Sequence, residues 1–195
     1  MSNEVYKTIM KRRSIRSFKP GKIPYRLLEK FVDAGRVAPS AANLQSLEYI
    51  IVDDDALLEK IFSYVKFAGY IDWNPTKEEM PRAYIVMLSK KDNSYVKYDA
   101  GLAAENIILA AMEEGIGSCL IGAFDEEKVK DLLDIPQQYT IHMLVALGYP
   151  AESPVLEELT TPDGSIKYWR DEKGVLHVPK KSLKHILYRN SYGKK

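Results

Sequence analysis

Hydrophobic positions along this chain fall into alternating helical and strand patterns. Apolar residues recur at helical spacing in five stretches, which predicts helices over residues 3–12, 25–36, 56–67, 98–115 and 125–136. Short apolar runs rich in β-branched residues predict strands at "EYIIVDD", "AYIVMLS", "SCLIGAF" and "TIHMLVALGYP". The last run is apolar almost throughout, which is typical of a central strand.

Residues at the element ends support these boundaries. The aspartates after "EYIIV" and Asp125 are suited to cap the helices that follow, and Gly115 is a plausible helix C-cap. After Pro150 the pattern changes: residues 151–165 are acidic and predict a loop, "IKYWRDEKGVLHV" predicts a hairpin turning at "DEKG", and "KKSLKHILYRN" predicts a short terminal helix. The sequence therefore predicts one domain over residues 1–195, in which residues 151–195 form an appended C-terminal arm.

Composition narrows the class of protein. The 195 residues are 46% hydrophobic and 28% charged with a formal net charge of +1, as in an ordinary soluble globular protein. No apolar run reaches about 18 residues and the first residues lack an apolar signal region, so we expect no membrane association and no secretion. The single cysteine, Cys119, excludes an internal disulfide, and together these features predict a cytoplasmic protein. Near-neutral charge argues against a broad nucleic-acid surface.

Several common chemistries lack a motif here. Three scattered histidines and one cysteine provide no metal-ligand spacing, so we expect no metal site. The stretch "GIGSCLIG" resembles a dinucleotide fingerprint, but it runs into a strand instead of opening a helix. No nucleophile-elbow motif is present, and Cys119 within an apolar strand is expected to be a buried, inert thiol.

Positive charge is concentrated in one short stretch, "KRRSIRSFKP", at residues 11–20, where five of ten residues are cationic. Arg12 ends a predicted helix, and Ser14 and Arg16 follow in an extended segment whose alternate residues share one side. Two guanidinium groups and a hydroxyl that converge in this way suit a phosphate. A solvated basic face that closes a helix dipole, or a local nucleic-acid patch, is the alternative.

Two further stretches could contact a flat ligand. In "APSAANLQS", residues 38–46, Pro39 stiffens a loop of small residues, while Ser40, Asn43 and Gln45 offer mixed donors and acceptors. In "LIGAF", Gly122 at a strand end would let the backbone approach a ring and donate an amide hydrogen. The alternatives are a plain turn and an ordinary strand-end glycine.

These stretches, in this order and followed by "VALGYP", resemble the FMN-dependent nitroreductase family. The resemblance runs from Arg12 to about Pro150 and includes "YDAGLAAENIILAAMEEGIGSCLIGAFDEEKVKDLL". It implies an α+β fold with a mostly antiparallel central sheet flanked by helices, built as an intertwined homodimer with FMN at the interface. The expected partners are therefore a second copy of the chain and a small-molecule electron acceptor, with no nucleic acid and no membrane.

The same resemblance implies a cofactor site. The FMN phosphate would be held by the basic segment, with Arg12, Arg13, Ser14 and Arg16, and by two basic residues of the terminal arm, Lys180 and Lys181. The flavin and ribityl region would be covered by the small loop, with Pro39, Ser40, Ala41, Asn43 and Gln45. The ring would be contacted near N5 by the backbone of the strand end, Ile121 and Gly122.

The implied activity is an NADH- or NADPH-dependent oxidoreductase that reduces nitroaromatics, quinones or similar electrophiles. Hydride would pass through flavin N5 in a ping-pong sequence, without a catalytic side chain. Phe67, Tyr70 and Trp73 could form the wall of the substrate space, or they could simply pack the segment 67–82 onto the body. Other open functions are another reaction of the same superfamily, such as reductive dehalogenation or flavin breakdown, and a non-enzymatic flavin-binding module.

Overall fold

The computed structural model describes residues 4–67, 69–71, 73–90 and 94–194. Its main sheet has four antiparallel strands in the order β1-β2-β4-β3. These strands are β1 (Glu48–Val52), β2 (Ala83–Lys90), β3 (Gly117–Ile121) and β4 (Tyr139–Gly148). The helices are α1 (Glu4–Lys11), α2 (Tyr25–Arg36), α3 (Asp55–Tyr64), α4 (Val96–Glu113), α5 (Glu126–Leu132) and α6 (Leu183–Ile186). This arrangement confirms the predicted α+β class and the interior position of the strand in "TIHMLVALGYP".

Both faces of the main sheet are covered by helices. Alternate residues of β2 and β4 belong to two separate apolar clusters, one shared with α3 and α5 and the other with α2 and α4. Because side chains of a strand alternate between faces, a strand buried on both faces must be apolar at nearly every position. That requirement explains why β2 and β4 are apolar at most positions.

Helix ends follow the predicted capping residues. The Asp54 carboxylate accepts hydrogen bonds from the backbone N–H groups of Ala56 and Leu57 at the start of α3. Asp125 accepts one from the backbone N–H of Lys128 at the start of α5. Gly115 follows α4 with a φ of +72°, the left-handed conformation that glycine adopts at low cost. The predicted first helix included residue 3, which lies outside the described residues.

The chain forms two compact units. The main unit comprises Met1–Phe67 and Asn74–Ala151, and the smaller unit comprises Ala68–Trp73 and Glu152–Lys195. The smaller unit has a three-stranded sheet in the order β5-β7-β6, built from β5 (Val155–Leu159), β6 (Trp169–Arg170) and β7 (Leu176–Lys181). Strands β6 and β7 are antiparallel, which confirms the predicted hairpin at "DEKG".

Two predictions for the arm were wrong. Residues 155–159 of the predicted loop 151–165 form strand β5, which pairs in parallel with β7. Most of its side chains are exposed and two of its five residues are acidic, so its sequence has no apolar strand pattern. The strand forms because it pairs with β7, which is distant in sequence. The predicted terminal helix began at Lys180, but Lys180 and Lys181 end β7 and the helix spans only Leu183–Ile186.

A charged cluster holds the β6–β7 turn together. The Asp171 carboxylate accepts hydrogen bonds from the backbone N–H groups of Val175 and Lys173, and its Oδ2 lies 3.5 Å from His177 Nε2. These contacts, led by the Val175 hydrogen bond, lower the pKa of Asp171 below its ordinary value of 3.8. The indole of Trp169 stacks on the His177 ring with 4.2 Å between the ring centroids.

This cluster should make the turn sensitive to acid. A carboxylate whose pKa is lower in the folded state stabilises the fold above its unfolded pKa, and this stabilisation is lost as pH falls through the folded pKa. We therefore expect Trp169 fluorescence to report loosening of the turn as pH falls below about 3.8. An Asp171→Asn variant should lose this pH-dependent step, and an identical acid profile in that variant would contradict the assignment.

Candidate functional site

The basic segment lies beside strand β3. The backbone N–H of Ile15 donates to the carbonyl of Ser118 at 2.8 Å, and Ser14 forms a parallel bridge with the same residue. The segment is therefore extended after Arg12, as predicted. This contact is at Ser118, three positions before β3 ends at Ile121. Two stretches that the sequence linked only by resemblance are therefore neighbours in the main unit.

Arg12 and Arg13 leave helix α1 in different directions. Arg12 Nε lies 3.3 Å from Glu105 Oε1 on α4. The Arg13 guanidinium turns back onto the end of α1, where it donates to the carbonyls of Met10 and Arg12. Burial, with a smaller contribution from the Arg12 charge, lowers the pKa of Arg13. Arg13 thus closes the helix C-terminus, the structural alternative that the sequence left open for this segment.

Arg16 is anchored by its own contact. Its Nε donates to the carbonyl oxygen of Phe67 at 2.7 Å. This hydrogen bond fixes the direction of the guanidinium group within the main unit. An anchored guanidinium presents its donors in a planar fork, the geometry that suits phosphate oxygens.

The loop around residues 39–45 has an unusual backbone. Ala42, Asn43 and Gln45 all have positive φ values, between 49° and 55°. The left-handed conformation costs a residue such as alanine about 1–2 kcal/mol, so neighbouring contacts must hold it. Two side chains do so: Ser40 Oγ accepts from the Gln45 N–H at 3.1 Å, and Asp99 Oδ1 accepts from the Ala41 N–H at 3.1 Å.

A cavity of about 170 Å³ lies between this loop, the end of α2, β1 and α4. Asp99 lines it and is only 4% exposed. Asp99 Oδ2 is buried and has no hydrogen-bond partner among the described residues. Burial raises the pKa of Tyr49, another lining residue, so its phenol stays protonated at neutral pH. Several other residues that line the cavity are small or polar: Gly35, Ala38, Pro39, Ser40, Gln45 and Ala103.

The end of β3 offers backbone rather than side chains. Ile121 is 2% exposed, and its side chain belongs to the core, so only its backbone could meet a ligand. Gly122 follows the strand and is exposed. A Cβ atom added at Gly122 would meet no other atom within 4 Å, so open space lies beside its backbone.

Phe67 and the two other predicted substrate residues lie in different surroundings. Phe67 is 6% exposed and packs in the core of the main unit against Phe62, with 5.8 Å between ring centroids. This burial favours the packing role for Phe67. Tyr70 and Trp73 belong to the smaller unit, whereas Ala68 and Asp72 of the segment 67–82 lie outside the described residues.

Within the smaller unit, the C-terminal arm contacts Gly69, Tyr70 and Trp73. Tyr168 Oη accepts from the N–H groups of Gly69 and Tyr70 at 2.7 and 3.3 Å. The Arg170 guanidinium stacks on the Trp73 ring at 4.4 Å and pairs with Glu152 at 2.7 Å. Lys180 and Lys181, at the end of β7, are exposed, and their part in phosphate binding stays a prediction.

The basic segment and the loop contact different sides of α4. Glu105, which pairs with Arg12, follows Asp99, which holds the loop, by six residues. Six residues at 3.6 per turn correspond to roughly 9 Å along the helix and about 120° around it. The two predicted cofactor-binding stretches therefore approach one helix from separate directions.

Sequence reasoning missed the residues that hold these stretches in place. Asp99 was detectable, because it is an acidic residue on the face of α4 that is otherwise formed by Ala100, Ala103 and Ile107. Tyr168 and Arg170 contact residues about 100 positions away, and no local pattern indicates such contacts.

Across the described residues, no group of three or more potential metal ligands is present. No helix in the described part of the chain is long and apolar enough to cross a bilayer.

Comparison with known proteins adds an independent observation. The model of the nitroreductase family matches residues 9–149. A Methanothermobacter thermautotrophicus protein, named as an NADH dehydrogenase or NAD(P)H nitroreductase, is 31% identical over 82% of this chain and 84% of its own length. A Staphylococcus aureus NADPH-dependent oxidoreductase is 28% identical over 98% of this chain and 75% of its own length.

Solved structures give the same picture for the fold. A nitroreductase family protein from Clostridium novyi NT has a TM-score of 0.65 at 30% identity and covers 77% of this chain and 87% of its own. An FMN-dependent nitroreductase from Clostridium difficile R20291 has a TM-score of 0.69 at 24% identity, covering 95% of this chain and 98% of its own. The second similarity concerns the fold alone.

Proposed function

This chain belongs to the nitroreductase family, and on that premise we propose that it is an FMN-dependent oxidoreductase. It takes hydride from NADH or NADPH and passes it to nitroaromatics, quinones or similar electrophiles. The observation that carries the proposal is the position of the basic segment along β3, fixed by the hydrogen bond from Ile15 to Ser118. This contact supports the proposal because it brings the proposed phosphate donors close to the strand that precedes Gly122.

The residues present fit a flavin mononucleotide. Arg12, Ser14 and Arg16 supply two guanidinium groups and a hydroxyl for a single phosphate. Gly122 lies four positions after Ser118, a span on the order of 13 Å in an extended chain, which leaves room for a sugar-alcohol chain between phosphate and ring. No second phosphate cradle of the dinucleotide type accompanies them in the sequence, which favours FMN over FAD.

The protein's part in the reaction is to bind and orient. Bound FMN would supply the redox chemistry, accepting hydride at N5 and returning it to the acceptor in a ping-pong sequence. The amide of Gly122 would donate a hydrogen bond at the ring, and the open space beside it admits a flat substrate. No catalytic side chain is required.

We propose that the protein is a homodimer, and the same geometry supports this. The loop and the basic segment lie on different sides of α4, so one FMN would meet both if the loop comes from the partner subunit. Exposed apolar side chains on α1 and α4 provide a surface for that association, which we call the α1/α4 surface: Val5, Tyr6, Ile9, Met10, Tyr98 and Leu102. Apolar surface of this kind is typical of a protein–protein interface.

The identity of the flavin tests the proposal. The purified protein should be yellow, and heat should release a flavin that runs as FMN on chromatography. A released flavin that runs as FAD would contradict the phosphate assignment. A colourless protein that does not take up added FMN would contradict the function as a whole.

Steady-state kinetics test the shared binding space. If the reductant leaves before the acceptor binds, initial rates at several nicotinamide and quinone concentrations should give parallel double-reciprocal lines. Intersecting lines would mean that both substrates bind together. The same assay, run with NADH and with NADPH, identifies the preferred reductant.

Substitution of Trp73 tests the acceptor wall. Tyr70 and Trp73 offer aromatic faces that can stack on flat acceptors of many shapes. Trp73→Ala removes one such face together with the Arg170 stacking contact, so we expect the ranking of acceptors by kcat/KM to change while FMN content stays intact. Tyr168→Phe, which loosens the same segment but keeps every ring, is the matched control. An unchanged ranking in Trp73→Ala would restrict this residue to a packing role.

A further inference from the structure

The carboxylate of Asp99 is incompletely satisfied. It is 4% exposed, its Oδ1 accepts from Ala41 N–H at 3.1 Å, and its Oδ2 has no partner among the described residues. A buried acceptor without a donor is costly, and more so when it is charged. Such a group in a folded protein calls for an explanation, and a donor supplied by a ligand or by water is the usual one.

The cavity beside Asp99 limits what that ligand can be. Its volume of about 170 Å³ is below the roughly 300–1,000 Å³ of pockets that enclose whole drug-sized molecules. It could therefore hold only part of an FMN molecule. The three-ring flavin is too large for it, and the phosphate carries the same negative charge as Asp99. The ribityl chain is thin and carries three hydroxyl donors, and small residues such as Gly35, Ala38 and Ala103 leave room for it.

We propose that Asp99 is a cofactor-contacting residue whose Oδ2 accepts a hydrogen bond from a ribityl hydroxyl of the FMN that the loop meets. This inference rests on the proposed FMN binding. Asp99 would then have two functions: Oδ1 holds the loop in its left-handed conformation, and Oδ2 reads the sugar-alcohol chain. The bound cofactor supplies the donor that the described residues do not provide.

Binding measurements with three flavins and the isosteric variant Asp99→Asn distinguish the two functions of Asp99. Asp99→Asn keeps an oxygen for the Ala41 N–H but replaces the second oxygen with an NH₂ donor. Dissociation constants would be measured by flavin fluorescence on the full chain for FMN, riboflavin and lumiflavin, which lacks the ribityl chain. Because a hydrogen bond to a charged group is stronger than one between neutral groups, Asp99→Asn should weaken FMN and riboflavin binding about tenfold or more. Lumiflavin binding should change less than twofold.

Hydrogen exchange at the Ala41 amide shows whether the loop is intact. We expect the same protection in Asp99→Asn as in the wild type. Asn106→Ala is the matched control, because it removes another polar contact of α4, the 3.0 Å hydrogen bond to the Ala34 carbonyl, and should weaken no flavin selectively.

Three results would overturn the inference: unchanged FMN affinity, equal losses for all three flavins, or a loss accompanied by faster exchange at Ala41. Failure of the wild-type protein to bind any flavin would instead overturn the proposed function. The two failures are therefore distinguishable.

Discussion

Replacing Arg16 with alanine is expected to weaken FMN binding by about 10- to 150-fold and to leave riboflavin binding nearly unchanged. The guanidinium of Arg16 is anchored by its hydrogen bond to the Phe67 carbonyl and is one of the phosphate donors that we propose for the basic segment. A charge-assisted hydrogen bond contributes roughly 1.5–3 kcal/mol, which gives the expected range. Riboflavin lacks the phosphate and should not sense the loss. Fluorescence titration with both flavins measures the effect.

Two controls isolate the phosphate contact. Lys19→Ala removes an exposed cation from the same segment and should change FMN affinity only slightly. Circular dichroism of Arg16→Ala shows whether loss of the Phe67 contact disturbs the fold. Full FMN occupancy in a folded Arg16→Ala protein, or equal weakening of both flavins, would show that Arg16 does not hold the phosphate.

Replacing Leu102 with aspartate is expected to dissociate the homodimer and release FMN. Leu102 lies on the α1/α4 surface, one helical turn from Tyr98, and both side chains are exposed. A symmetric interface contains the substitution on both subunits. An unpaired charge buried there costs roughly 3–5 kcal/mol, which raises the dimer dissociation constant at least a hundredfold. Light scattering coupled to size exclusion, at micromolar protein, measures the mass.

Tyr25→Asp is the matched control for this experiment. Tyr25 is an exposed apolar residue at the start of α2, outside the α1/α4 surface, so its substitution should leave the dimer intact. A wild-type protein with the mass of one chain that still binds FMN would contradict the dimer proposal. A dimeric Leu102→Asp protein would place the interface elsewhere.

The sequence predicted the elements that depend on local pattern. Helix α2 was predicted with the bounds that the structure shows, because Pro24 marks its start and its apolar face is regular. Strands β2 and β4 were recognisable because most of their residues are apolar, since both faces of the main sheet are covered. The α+β class and the family, predicted from ordered motifs, are confirmed.

Features that depend on distant contacts were not predictable in this way. Strand β5 is acidic and exposed, and it is a strand only because β7 pairs with it in parallel. Nothing in the letters "SAAN" indicates that Ala42 adopts a positive φ, because the conformation is imposed by the Asp99 and Ser40 hydrogen bonds. The candidate site was thus predictable as a set of stretches, whereas the side chains that shape them depend on the fold.

Anaerobic stopped-flow absorbance tests most directly whether the bound flavin carries electrons from a nicotinamide to an acceptor. The FMN-loaded protein is mixed with NADH or NADPH in the absence of oxygen, and the yellow flavin band is followed before and after a second mixing with a quinone. We expect that at least one nicotinamide bleaches the band, at a rate that rises with the nicotinamide concentration, and that the quinone restores the band. A flavin band that neither nicotinamide bleaches would contradict the assignment as an NAD(P)H-dependent oxidoreductase.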